Sequence, residues 1–196
     1  MIIVMTPAAS AQSIEDVIGK IRAAGLSEHV SRGTERTIIG AVGDERSLQP
    51  SMFEMMPGVE RALRVLVAED NSISTKVIRG MLGKLNLEPD TACNGEEALQ
   101  AMKAQRYDLV LMDCEMPVLD GFSATQQLRA WEAAHQRPRT PVVALTAHIL
   151  AEHKERAKLA GMDGHMAKPV ELSQLRELIQ YWANHREAKT DPAPIP

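Results

Sequence analysis

A chain of 196 residues with 44% hydrophobic content and a formal net charge of −4 has room for one large or two small globular domains. With 22 basic against 26 acidic side chains, composition argues against a basic nucleic-acid binder, so no nucleic-acid partner is expected. No apolar run approaches the roughly 18 residues that span a bilayer, MIIVM is too short and lacks the basic flank of a secretory segment, and Cys93 and Cys114 form no ligand-like pair. A cytoplasmic protein without a membrane segment of its own is the expectation.

Met1 to Met5 is a β-branched run ended by Thr6-Pro7, and an apolar stripe at helical spacing follows through Ile14, Val17, Ile18 and Ile21. Ser10 or Ser13 caps this predicted helix, and Gly25 closes it. Glu28 to Ser31 and Thr37 to Val42 read as strands around a turn at Arg32-Gly33, with a second tight turn at Gly43-Asp44-Glu45. Ser47 to Met55 reads as a short helix broken by Pro57-Gly58, and Val59 to Leu66 as a further strand. The order β-α-β-β-α-β over about 66 residues is the split βαβ, ferredoxin-like arrangement.

From Arg64 onward strand and helix alternate strictly. Strand Arg64 to Ala68 leads to helix Ser72 to Leu85, strand Glu88 to Ala92, helix Gly95 to Ala104, strand Leu109 to Met112 and helix Gly121 to Glu132. Strand Val142 to Leu145, helix Leu150 to Ala160, strand His165 to Ala167 and helix Leu172 to Asn184 follow. These units predict an α/β fold with a doubly wound, five-stranded parallel sheet, preceded by the small α+β domain. The expected division is 1–63, 64–186 and a proline-rich disordered tail, 187–196. No Gly, Ser or Pro linker separates the blocks. One long strand from about Val59 to Ala68 through both sheets, or a strand exchanged between chains, is therefore expected at the join, and an engineered fusion would read the same.

The chemistry gathers where the strands of the second block end. Glu69-Asp70 follow VLVA, Asp113 follows LVLM, Thr146 follows VVAL, and Lys168-Pro169 follow HMA. Parallel strands converge at one sheet edge, where open α/β folds place their sites, so a carboxylate cluster, a hydroxyl and an amine meet there. That set suits a metal ion and a phosphate. Three converging carboxylates repel one another, and a divalent ion relieves the repulsion. Read alone, Asp113 is equally a loop-capping carboxylate, Glu69 and Asp70 caps for the helix at Ser72, Thr146 a cap, and Lys168 a solvated charge. Cys93 and Cys114 read as small buried side chains rather than reactive thiols, and the eleven methionines as gap-fillers. His135, His148, His153 and His185 fall on predicted helices or helix ends without forming a metal set.

VLVAEDN, LVLMDCEMPVLDG, ALTA and AGMDGHMAKP together resemble the receiver domain of two-component response regulators, in the variety attached to hybrid histidine kinases, over roughly Arg64 to Trp182. The resemblance implies that Asp113 accepts a phosphoryl group from a histidine kinase or histidine phosphotransfer protein. It implies Mg²⁺ held by Asp70 directly, Glu69 largely through water, Asp113, and the backbone carbonyl of Glu115, a set matching the hard oxygen ligands this ion takes. Glu69 stands where the family more often has aspartate. Lys168 and Thr146 would each engage a phosphoryl oxygen, with Pro169 supplying a cis peptide that aims the lysine inward. The family's switch couples the threonine to an aromatic residue three positions before the lysine. Here that position holds His165, which departs from the pattern and brings a group that titrates near neutral pH. His148 and Glu115 fall on positions that tune phosphoryl lifetime.

MIIVMTPAAS, EHVSRGTERTIIGAVGDER and PGVERALRVL resemble the N-terminal regulatory domain of one class of 3-deoxy-7-phosphoheptulonate synthase, over about Met1 to Leu66. This implies an aromatic amino acid bound between copies of the domain, with His29 and Ser31 at the binding positions, and hence a homo-oligomer. A polar pair at a strand edge is the equal alternative. The synthase barrel needs more than about 200 further residues, so synthase activity is not expected, and no catalytic output domain is read from the sequence. The reading is a phosphorelay receiver that is not an enzyme and signals by conformational change or altered association. The alternatives are an amino-acid-binding module with the receiver fold as scaffold, or an artificial fusion of the two.

Overall fold

The computed structural model describes residues 1–33, 36–43, 48, 50–147 and 151–184, with the backbone alone for 151 and 152. The expected turn at Asp44-Glu45, the tuning position His148, His185 and the tail 187–196 lie outside the described residues. The chain divides into two compact units, Met1–Leu63 with Leu82–Glu88, and Arg64–Met81 with the chain from Pro89 onward.

In the first unit, β1 (Ile2–Met5), β2 (Ser27–Arg32), β3 (Thr37–Val42) and β4 (Val59–Ala62) form an antiparallel sheet in the order β2-β3-β1-β4. Helix α1 (Ala11–Ala23) and the short α2 (Ser51–Glu54) separate them in the chain. The α1 stripe of Ile14, Val17, Ile18 and Ile21 is buried in one cluster with Ile3, Met5, Ile39 and Phe53, as a 3.6-residue apolar period requires. Of the two candidate caps it is Ser10 whose hydroxyl accepts from the Ser13 N–H, at 3.1 Å. Gly25 follows the helix at φ +77°, a conformation that costs glycine nothing.

The second unit is a doubly wound parallel sheet of five strands, β5 (Val65–Ala68), β6 (Asp90–Ala92), β7 (Leu109–Asp113), β8 (Val142–Thr146) and β9 (Gly164–Ala167), in the order β6-β5-β7-β8-β9. Between and after them run α3 (Ser72–Lys84), α4 (Gly95–Ala104), α5 (Gly121–Ala134), α6 (Ala151–Leu159) and α7 (Leu172–Asn184). Strands β5, β7 and β8 are buried at every position, which explains why they read as unbroken apolar runs. Strand β6 is shorter than expected, since its pairing with β5 starts only at Asp90.

The expected unbroken strand from Val59 to Ala68 is not formed. The Leu63 N–H donates to the Ile2 carbonyl at 2.8 Å, whereas the Arg64 N–H turns to the Asp108 carboxylate at 3.0 Å and the Arg64 carbonyl takes the Asp108 N–H at 2.9 Å. The backbone changes partners between two adjacent residues, so β4 ends at Ala62 and β5 begins at Val65. Cys93 also departs from expectation. It is exposed, with Sγ 3.0 Å from the Glu97 carboxylate, which together with desolvation raises its pKa and keeps it a thiol.

At the edge where β8 and β9 begin, an ionic network is closed around Asp163, which is 3% exposed. Its oxygens accept from Arg129 Nη2 at 2.9 Å, Arg139 Nε at 2.7 Å and the Val142 N–H at 2.8 Å. Glu132 accepts from Arg129 Nη1 and from the Thr140 N–H, both at 2.7 Å. This network joins α5 to the starts of two strands.

Candidate functional site

At the opposite sheet edge, β5, β7, β8 and β9 each end on one of the expected residues. Glu69 and Asp70 follow β5, Asp113 and Thr146 are the last residues of β7 and β8, and Lys168 follows β9. Carboxylate oxygens of Glu69, Asp70 and Asp113 lie within 4.8 Å of one another. With Asn71, Ser74, Thr146 and Lys168 these residues line a pocket of about 240 Å³.

Lys168 bridges the acidic set. Its Nζ donates to Asp113 Oδ2 at 2.7 Å and stands 2.6 Å from Glu69 Oε2. The second contact is an ion pair, and Glu69 Oε2 is buried with no other partner among the described residues. Burial works against the lysine's charge, but the two carboxylates outweigh it and its pKa is raised. Burial also raises the Glu69 carboxyl, opposed by Lys168 and reinforced by the charge of Asp113. Cys114, buried beside Asp113, is pushed up to about 12 by burial and that neighbouring charge, which leaves it inert.

Local backbone sets each side chain. Glu69 Oε1 accepts the Asn71 N–H at 3.2 Å, and Asp113 Oδ1 accepts the Glu115 N–H at 3.2 Å. The Thr146 carbonyl takes the Lys168 N–H at 2.8 Å, tying the ends of β8 and β9, and the Lys168-Pro169 peptide is cis. Gly121, at the start of α5, faces the Asp113 carbonyl so closely that a Cβ there would collide with it. Its own N–H reaches the Cys114 carbonyl at 3.2 Å, so the Cys114 to Asp120 loop is folded tightly over the site.

Two residues not singled out from the sequence belong here. Asn71, rather than Glu69 or Asp70, caps α3, its Oδ1 accepting from the Ile73 and Ser74 N–H groups at 2.9 and 3.1 Å. An asparagine directly before a predicted helix start is a readable capping signal. Arg156 lies over the Phe122 ring, 4.4 Å from its centroid, beside the same loop, and nothing in the sequence pattern pairs them. His165 sits on β9, half-buried, with its pKa lowered by burial and by the charge of Lys154. His29 and Ser31 are exposed on β2, an edge strand of the first unit's sheet, on the same face by alternation.

A doubly wound parallel sheet with three acids, a threonine and a lysine at its carboxyl edge defines a class of phosphoryl- and metal-binding α/β modules. The model of the response regulator receiver domain matches residues 65–180, and the chain belongs to that family. The DAHP synthase ferredoxin-like domain matches residues 1–67. Sensor protein GacS of Pseudomonas syringae pv. syringae is 37% identical over 160 residues, covering 76% of this chain and 17% of the sensor protein. The chain thus spans less than a fifth of that relative's length. The receiver domain of a Pseudomonas aeruginosa sensor histidine kinase, solved with magnesium in its active-site cleft, is 38% identical at a TM-score of 0.56. It covers 62% of this chain and 98% of that one. The receiver domain of the Saccharomyces cerevisiae response regulator Ssk1, solved with the histidine phosphotransfer protein Ypd1, matches at a TM-score of 0.61 and 30% identity, covering 66% of this chain and 95% of that one.

Proposed function

We propose that this chain is the phosphoacceptor of a two-component phosphorelay. An Asp113 oxygen attacks the phosphorus of a phosphohistidine on a histidine kinase or histidine phosphotransfer protein, the P–N bond breaks, and the imidazole leaves with a proton from solvent. The observation that carries this reading is Asp113 at a strand end, 2.7 Å from Lys168 and within 4.8 Å of Glu69 and Asp70. Lys168 holds the attacking carboxylate in place and then takes a phosphoryl oxygen, and Thr146 hydrogen-bonds another. The protein positions groups and stabilises charge, which is what phosphoryl transfer asks of it.

The acidic set fits Mg²⁺. It offers hard oxygen ligands only, and Glu69 Oε2 is a buried carboxylate oxygen with no partner but Lys168 among the described residues. Asp70, Asp113 and the Glu115 carbonyl would hold the ion directly, with Glu69 alongside. Bound there, Mg²⁺ would neutralise charge that develops on the transferring group. The module acts in the cytoplasm as a signalling component rather than an enzyme, through conformational change or altered self-association, with domains at 1–63 and 64–186. Thr146, His165 and Pro169 form its switch.

Mass spectrometry of the full chain incubated with phosphoramidate and Mg²⁺ tests the reading. One phosphoryl group is expected on the wild type and none on Asp113→Asn. Continued labelling of the asparagine variant would mean a different nucleophile. Lys168→Ala is expected to accept the label but lose the response, read as the change in sedimentation on adding beryllofluoride.

The first unit supports a second reading. It matches a synthase regulatory domain, and His29 and Ser31 share a face of edge strand β2. An aromatic amino acid bound there between two copies would make the chain an amino-acid sensor. Calorimetry with phenylalanine or tyrosine tests this, and heat that survives His29→Ala would move the ligand elsewhere.

A further inference from the structure

The first unit contains a segment that the synthase domain does not supply. That domain matches residues 1–67, yet Leu82–Glu88 is part of the same compact unit. There the chain turns in a Schellman motif. The Leu87 N–H reaches the Leu82 carbonyl at 2.9 Å, the Asn86 N–H reaches the Gly83 carbonyl at 3.0 Å, and Asn86 takes φ +60°. Leu82 and Leu87, the apolar pair that such a motif brings together, are both buried. Glycine is the usual residue at the left-handed position, so the asparagine carries a side chain that the turn itself does not need.

That side chain lies beside His29. His29 pairs with Gly40 across β2 and β3, on the sheet face turned away from α1, since Ile39 and Ala41 are the β3 residues in the α1 cluster. A Cβ on Gly40 would stand 3.2 Å from Asn86 Nδ2 and 3.8 Å from His29 Cβ. Glycine at position 40 is therefore what lets the amide come up to the strand next to His29. Ile38 and Val42 flank Gly40 on this face, Val42 being 39% exposed, and Ser31 lies across from Ile38. The polar groups of His29, Ser31 and Asn86 border an apolar pair, an arrangement that suits a small molecule with a charged head and a ring.

Resting on the amino-acid reading of the first unit, we propose that Asn86 is a further binding residue of that site. Its amide N–H donates to the α-carboxylate of an aromatic amino acid held at His29 and Ser31, and the ligand's ring lies against Val42. The Schellman turn fixes the backbone at Asn86, so the amide is held ready before the ligand arrives. The site then reaches beyond residues 1–67, and its specificity is set in part by a segment that the synthase domain lacks.

Calorimetry of the full chain with phenylalanine tests this, with thermal unfolding in the absence of ligand to verify each variant. Asn86→Gly keeps the turn, because glycine suits the left-handed position, and removes only the amide. It is expected to weaken phenylalanine at least about tenfold, the scale of one hydrogen bond to a charged group. Asn86→Asp sets a carboxylate against the ligand's own and is expected to weaken binding further. Affinity unchanged in Asn86→Gly, or raised in Asn86→Asp, with binding still lost in His29→Ala, would overturn the proposal and leave the amino-acid reading standing. No heat from the wild type, or heat that survives His29→Ala, would remove that reading and the part of Asn86 with it.

Discussion

Two acidic clusters sit at opposite edges of the parallel sheet, and they differ in how completely they are paired. Asp163 and Glu132 meet two arginines and two backbone N–H groups, in directed bonds of 2.7 to 2.9 Å. Glu69, Asp70 and Asp113 meet one lysine and two backbone N–H groups, three acids against a single cation, and among the described residues Glu69 Oε2 has no partner beyond that lysine. Buried charge is tolerable only when paired, so the first cluster is complete as folded while the second is poised to gain a cation. The paired cluster fixes α5 and the starts of β8 and β9, and it thereby supports strands whose far ends carry Thr146 and Lys168. The underpaired cluster is the one proposed above to hold the ion and the phosphoryl acceptor.

The sharpest way to break this contrast is to unpair the complete cluster. Asp163→Ala leaves Arg129 and Arg139 without their shared carboxylate and is expected to cost about 3–5 kcal/mol of stability. Asp163→Asn, which keeps acceptor capacity, should cost less. Urea unfolding reads both, and a loss under about 1 kcal/mol for the alanine variant would mean the network contributes little net stability.

The opposite change should occur at the other edge, with a smaller effect. Mg²⁺ binds the folded site and not the unfolded chain, so at a hundred times its dissociation constant it should add about 2.7 kcal/mol. Asp70→Asn should remove most of that gain, because Asp70 is the exposed carboxylate of the three. Asp163→Asn should leave it intact. A Mg²⁺ effect lost equally in both variants would erase the distinction between the clusters.

How much of this was legible in the sequence follows from the range of each interaction. The strand ends carrying Glu69-Asp70, Asp113, Thr146 and Lys168 were readable, because buried parallel strands are unbroken apolar runs and polarity returns sharply where they stop. The longer helices were readable from their apolar period, with ends shifted by at most two residues, whereas the helix read from Ser47 to Met55 is formed only over Ser51–Glu54. The Asp163 network was not. Its partners at 129, 132, 139 and 140 come together only through the packing of α5 and the pairing of β8 with β9. The Glu69 to Lys168 contact likewise depends on strand order and side-chain reach. The break between β4 and β5 was hidden because VERALRVLVA is apolar enough throughout to read as one strand, and the partner that interrupts it, Asp108, lies 44 residues away.

The smallest expected effect concerns His165, which stands between the two edges on β9. Burial, with Lys154 nearby, lowers its folded pKa below the 6.5 of the free side chain. Well above pH 6.5 the ring is neutral in both states and contributes no pH dependence. As pH falls below that value the unfolded chain takes up its proton first, so stability declines until the folded value is passed, and then levels off. His165→Phe should lack this component and restore an aromatic ring at the position. Unfolding free energies of the two proteins, measured between about pH 5 and 8, should therefore diverge on acidification with the wild type falling further. Parallel curves would show that the ring is solvated equally in both states. The same titration bears on signalling. If the ring moves between environments when Asp113 is phosphorylated, the beryllofluoride-bound equilibrium should shift between about pH 6 and 8 in the wild type but not in His165→Phe. A wild-type equilibrium unchanged across that range would leave β9 a passive support for Lys168.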